Sequence, residues 1–75
     1  MALRAQKNIA EATLLLEQAL FISPKDVAGH LVLGQCYEDL KRYTDAVQIY
    51  KRVLVLKPYR EDIRKHLGVL EESLK

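Results

Sequence analysis

The sequence predicts an all-α fold built from antiparallel helix–turn–helix repeats. Three observations carry this: a 34-residue self-similarity, apolar side chains at helical spacing, and two prolines one period apart. Shifted by 34 residues against itself, the 75-residue chain pairs nine identical residues, where its composition alone gives about three. They are Lys7/Lys41, Ala12/Ala46, Leu20/Leu54, Pro24/Pro58, Leu33/Leu67, Gly34/Gly68, Glu38/Glu72, Leu40/Leu74 and Lys41/Lys75. Ile9/Tyr43, Glu11/Asp45, Leu16/Tyr50 and Ile22/Leu56 are alike in chemistry.

Each element follows from its local pattern. Ile9, Ala12, Leu16, Ala19 and Leu20 share one helical face, as do Leu33, Cys36, Tyr37 and Leu40, and then Val47, Tyr50, Val53 and Leu54. Strand-like alternation is not sustained anywhere. Pro24 and Pro58 stop the helices before them, because proline lacks the N–H and disfavours helix at the preceding residue. The spacing predicts helices over residues 2–22, 27–40, 44–56 and 60–74. Asp26 stands where its carboxylate can cap the second helix. The fourth has no clean capping residue, but Glu61 and Asp62 favour its start through the helix dipole. The link through Lys41, Arg42 and Tyr43 is weakly marked, since it holds no glycine or proline and Lys and Arg are good helix formers. Asn8 is the matching soft spot in the first helix.

Length and composition narrow the function. One core of this size supplies only a few kcal/mol, so a disulfide, a metal, regular helix packing or further protein must help. Cys36 has no second cysteine to pair with, and His30 and His66 are too few for a structural zinc site. Twelve basic residues against ten acidic ones leave a net charge of +2, too balanced for nucleic acid or anionic membrane as the main partner. The longest apolar runs, residues 19–22 and 53–56, are far short of the ~20 needed to span a bilayer. Asn8 and Glu11 interrupt any signal-peptide core. The expectation is an intracellular, cytoplasmic chain with no membrane partner.

The central stretch reads His30-x2-Leu33-Gly34-x2-Tyr37, then Ala46-x3-Tyr50, then Pro58. It resembles the tetratricopeptide repeat, whose pattern is W-x2-L-G-x2-Y, A-x3-F, P. Gly34 and Ala46 are small enough for two antiparallel helices to approach, Tyr37 and Tyr50 fill the space beside them, and Pro58 stops the second helix. His30 stands where the family often has a large aromatic, which makes the local core smaller and more polar. Ile9, Ala12, Leu16, Ala19 and Pro24 repeat the second helix of a preceding unit, with residues 1–7 aligned to the tail of its first helix. Leu67 and Gly68 open a following unit, with Glu71 in place of the tyrosine. The resemblance implies a TPR-like α-solenoid fragment in one domain over residues 1–75. Residues 1–24 are a partial repeat, 25–58 a complete one and 59–75 the first helix of another. Such repeats bury their faces against neighbours, so a longer parent array is expected.

No catalytic constellation is visible, and neither an enzyme nor a cofactor is expected. His30 lies six residues from Cys36, a separation that does not share a helical face. Cys36 is expected to be buried and inert, and His30 a partly buried packing residue. His66 lies on another flank with no candidate partner. Lys57, Arg60, Arg64 and Lys65 cluster around Pro58 and read as a solvated turn. Only Tyr59 supplies the aromatic interleaving that single-stranded nucleic acid would want.

The resemblance implies a non-enzymatic protein–protein interaction module, part of a scaffold or assembly protein. First helices of successive repeats line a concave groove that holds a peptide or a partner helix. The corresponding residues here are Ala28, Leu31, Gln35 and Glu38, followed by Asp62, Lys65, Val69 and Glu72. Chaperone-binding members of the family grip a terminal carboxylate with Lys, Asn and Arg. Leu31 and Gln35 stand where Lys and Asn are needed, and Val69 follows Lys65 where an Asn would be. No carboxylate clamp is therefore expected. The alternative function is self-association as a homo-oligomer. It would run through Leu14 and Leu15 at one end and Ile63, Leu70 and Leu74 at the other, or through a domain swap with residues 41–43 made helical.

Overall fold

Helix α1 spans Ala2–Ile22, α2 Val27–Asp39, α3 Tyr43–Leu56 and α4 Glu61–Ser73. This computed structural model describes the backbone of residues 2–74 and the side chains of residues 7–74. Met1 and Lys75, inside the expected repeat bounds, lie outside the described residues, as do the side chains of residues 2–6. Every helix end falls within one residue of its expected place. Among the described residues there is no strand.

The two turns that hold the prolines are built alike. The Asp26 N–H donates to the Ser23 carbonyl and the Arg60 N–H to the Lys57 carbonyl, each at 3.2 Å. The following helix starts differ. Asp26 caps α2, its Oδ1 accepting from the Gly29 N–H at 3.1 Å. Arg60 precedes α4 with no side-chain cap bond, and Glu61 and Asp62 fill the first turn instead.

The link between α2 and α3 is a closed turn, so the helices do not fuse. Lys41 adopts φ 64°, the left-handed conformation. The Arg42 N–H reaches back to the Tyr37 carbonyl at 2.7 Å and the Lys41 N–H to that of Glu38 at 2.9 Å. This pair of bonds is a Schellman motif, which satisfies the helix's last carbonyls. Arg42 reinforces it from the far side. Its guanidinium lies 4.6 Å from the Tyr37 ring centroid, and its Nε donates to Asp45 at 2.8 Å. At the repeat-equivalent Lys7 and Asn8, by contrast, α1 continues without a break.

The core runs along the helix seams. Leu33 and Tyr37 from α2 meet Ala46, Val47, Tyr50 and Val53 from α3. Leu20 closes one end, and Ile63, Leu67 and Leu70 of α4 close the other. Each such large aliphatic contributes about 1.5–3 kcal/mol by leaving water. Gly34 and Ala46, both buried, let α2 and α3 approach as the small residues predict. Two expectations are corrected here. Ile63 and Leu70, read as open apolar surface, are only 8% and 6% exposed. They sit at the spacing that turns them, with Leu67, onto α3 rather than outward. Leu14, Leu15 and Leu74 do face solvent.

Two buried polar side chains are satisfied locally. Thr13 donates its hydroxyl to the Ile9 carbonyl at 2.8 Å. His30, 2% exposed and so more deeply buried than expected, donates from Nδ1 to the Asp26 carbonyl at 2.7 Å. That carbonyl also accepts the His30 backbone N–H at 3.1 Å. Cys36 is half-buried rather than buried.

Candidate functional site

Helices α2 and α4 flank a cleft of about 370 Å³. From α2 come Leu31, Gln35 and Glu38, and from the start of α4 come Asp62, Ile63 and His66. Arg60 borders the cleft from the turn and Tyr50 of α3 reaches it from below. Four expected groove residues, Leu31, Gln35, Glu38 and Asp62, thus come together. Ala28, Lys65, Val69 and Glu72 lie outside this cleft.

The division has a geometric cause. Residues 34 apart occupy the same face of two roughly equivalent helices, so two such stripes point the same way. What faces across a seam is one flank of α2 and the opposite flank of α4. Ile63 and His66 therefore meet Leu31 and Glu38, while Lys65 and Val69 do not. The signal in the sequence was the i, i+4 spacing of Asp62 and His66, which puts both on one face.

Glu38 organises the cleft. Its Oε2 accepts from the Tyr50 hydroxyl at 2.6 Å. His66 Nε2 donates to both carboxylate oxygens, each at 3.0 Å. The imidazole also stands edge-on to Tyr50, with ring centroids 5.2 Å apart and planes at 84°. His66, expected without a partner, thus ties α4 to both helices of the central pair. Burial and then the Glu38 hydrogen bond push the Tyr50 hydroxyl far above its ordinary value.

The basic cluster around Pro58 is partly used up within the chain. Arg60 donates from Nε and Nη2 to Asp62 at 3.1 and 2.9 Å. The guanidinium beside it holds the Asp62 carboxyl down to about 2. Arg64 donates to the Pro58 carbonyl at 2.7 Å. Among the described residues, no three His, Cys, Asp or Glu side chains converge as a metal site requires. No described helix is long and apolar enough to cross a membrane.

The family model of the tetratricopeptide repeat matches residues 3–67. The chain belongs to the tetratricopeptide repeat family. Tetratricopeptide repeats are protein–protein interaction modules and are generally non-catalytic. Protein O-mannosyl-transferase Tmtc3 of Drosophila melanogaster is 35% identical over 57 residues, covering 76% of this chain and 6% of the relative. Superkiller protein 3 of Schizosaccharomyces pombe is 31% identical over 68 residues, covering 91% of this chain and 5% of the relative. The chain thus spans a small part of the length of the curated relatives it matches. No solved structure matches this tetratricopeptide chain.

Proposed function

We propose that the cleft between α2 and α4 seats an extended peptide or a helix of a partner protein, within a larger scaffold or assembly protein. The observation that supports this most is the convergence of Leu31, Gln35, Glu38 and Asp62 on one cleft at the seam of two first helices. Leu31 offers apolar contact, and Ile63 lines the same cleft from α4. Gln35, Glu38 and Asp62 set register and charge preference, which decides specificity more than affinity. Ala28, Lys65 and Glu72 would meet the ends of a longer ligand.

The test is a double substitution of two residues that line the cleft, Leu31→Ala with Gln35→Lys. Circular dichroism should report unchanged helicity. Affinity capture should lose the proteins that the native chain retains. The same proteins captured by the folded variant would refute the groove assignment.

A second reading is self-association, through Leu14, Leu15 and Leu74 or by exchange of helices between two copies. The observation that favours exchange is Lys41, a non-glycine residue held at φ 64°. That conformation costs about 1–2 kcal/mol for an L residue, and a continuous helix would relieve it. Light scattering at rising concentration separates the readings, since a strict monomer removes this one.

A further inference from the structure

The cleft between α2 and α4 carries a charge that the hydrogen bonds within it do not cancel. Its lining holds two carboxylates, Glu38 and Asp62, against one guanidinium, Arg60. Arg60 is spent on Asp62, through two hydrogen bonds at 3.1 and 2.9 Å. Glu38 receives the Tyr50 hydroxyl and the His66 ring instead. The Tyr50 hydroxyl is a neutral donor, kept protonated by burial and by Glu38. An imidazole counted neutral at pH 7 likewise donates without cancelling charge. One net negative charge is left, and it belongs to Glu38.

Glu38 is placed to act on a ligand. Its side chain is 22% exposed, so most of the water that would screen it is excluded while the cleft still reaches it. Oε2 accepts from both Tyr50 and His66, whereas Oε1 accepts from His66 alone and keeps acceptor capacity. Leu31 and Ile63 wall the same cleft with aliphatic surface. A long aliphatic stem with a cationic head matches both features, its methylenes on the two walls and its head on the carboxylate. Lysine and arginine have that shape. An acidic side chain would meet like charge there. A purely apolar one would strip water from Glu38 without returning a counter-charge.

We propose that the partner segment seated between α2 and α4 places a lysine or arginine side chain against Glu38. This rests on the peptide-binding reading of that cleft and names the chemistry the cleft selects. The test is an NMR titration of the 75-residue chain at neutral pH with blocked alanine-based heptapeptides, identical except for a central lysine, norleucine or glutamate. In low salt the lysine peptide should bind about fivefold more tightly than the norleucine peptide, the worth of one partly screened ion pair. The glutamate peptide should bind most weakly. Binding should move the side-chain resonances of Gln35 and His66. At about 1 M salt, where the screening length is about 3 Å, the lysine preference should vanish while the norleucine peptide still binds. Glu38→Gln should level the lysine and norleucine peptides in the same way. If that variant does not fold, the salt series on the native chain still decides. Equal binding of the lysine and norleucine peptides in low salt, or tighter binding of the glutamate peptide, would overturn this inference alone. No shift from any of the peptides, or shifts confined to residues outside the cleft, would overturn the peptide-binding reading with it.

Discussion

A Cβ placed on Gly34 would lie 2.7 Å from both Cε1 and Cζ of Tyr50. The ring cannot easily retreat, because Tyr50 is 2% exposed and its hydroxyl is held by Glu38. Gly34→Ala should therefore destabilise the fold by about 1–3 kcal/mol, the usual cost of overpacking. Gly68, one repeat later, has nothing within 4 Å of its Cβ position. Gly68→Ala should stabilise by about 0.5–1 kcal/mol, because alanine loses less backbone entropy in a helix. Urea denaturation of both variants checks the opposite signs, and equal effects would refute this account of the helix approach.

Lys41 carries the second prediction. Its φ of 64° is the position a Schellman motif reserves for glycine. Lys41→Gly should raise stability by about 1 kcal/mol, by removing the Cβ clash of the left-handed conformation. It should also reduce any concentration-dependent dimer, because it favours the closed turn over a fused helix. Thermal melting and light scattering on the same sample measure both.

The repeat, the four helices and the approach of α2 to α3 were legible in the sequence because each rests on local chemistry. Prolines, small residues and apolar spacing act within one helix or between helix neighbours in the chain. The turn at Lys41 was harder to read. It closes through backbone bonds and the Arg42–Tyr37 contact, with a lysine at the left-handed position where glycine would have announced the turn. The cleft was half legible for a different reason. Repeat equivalence gives residues that share a face, whereas facing pairs such as Glu38 and His66 depend on how one repeat is set against the next. Ile63 and Leu70 are buried because, with Leu67, they form the face of α4 that packs on α3, even at the end of the repeat.

Tyr50 gives a pH prediction. Its hydroxyl is pushed well above the ordinary ~10 by burial first and by Glu38 second. The unfolded chain therefore releases this proton first as pH rises. The contribution is fully present below ~10 and is lost as pH climbs toward the folded-state value. Tyr50→Phe should cost about 1.5–3 kcal/mol near neutrality, because the lost bond has a charged acceptor. It should also flatten the decline of stability above pH ~10 relative to the native chain. Urea midpoints across pH test this, and parallel pH profiles for the two proteins would overturn it.

The charges of the α2–α4 cleft give the last prediction. Asp62 is held ionised by Arg60, with its carboxyl down at about 2, so it carries a full negative charge at neutral pH. The Arg60 guanidinium is in turn committed to Asp62 through two hydrogen bonds. Glu38 adds a second carboxylate, and Lys65 lies outside the cleft. A peptide ending in a free carboxylate would meet like charge there, with no uncommitted basic group from Arg60 to receive it. Calorimetry with the C-terminal peptide of a heat-shock chaperone should show no binding at neutral pH. Micromolar affinity would mean that the cleft presents a cation this geometry does not supply.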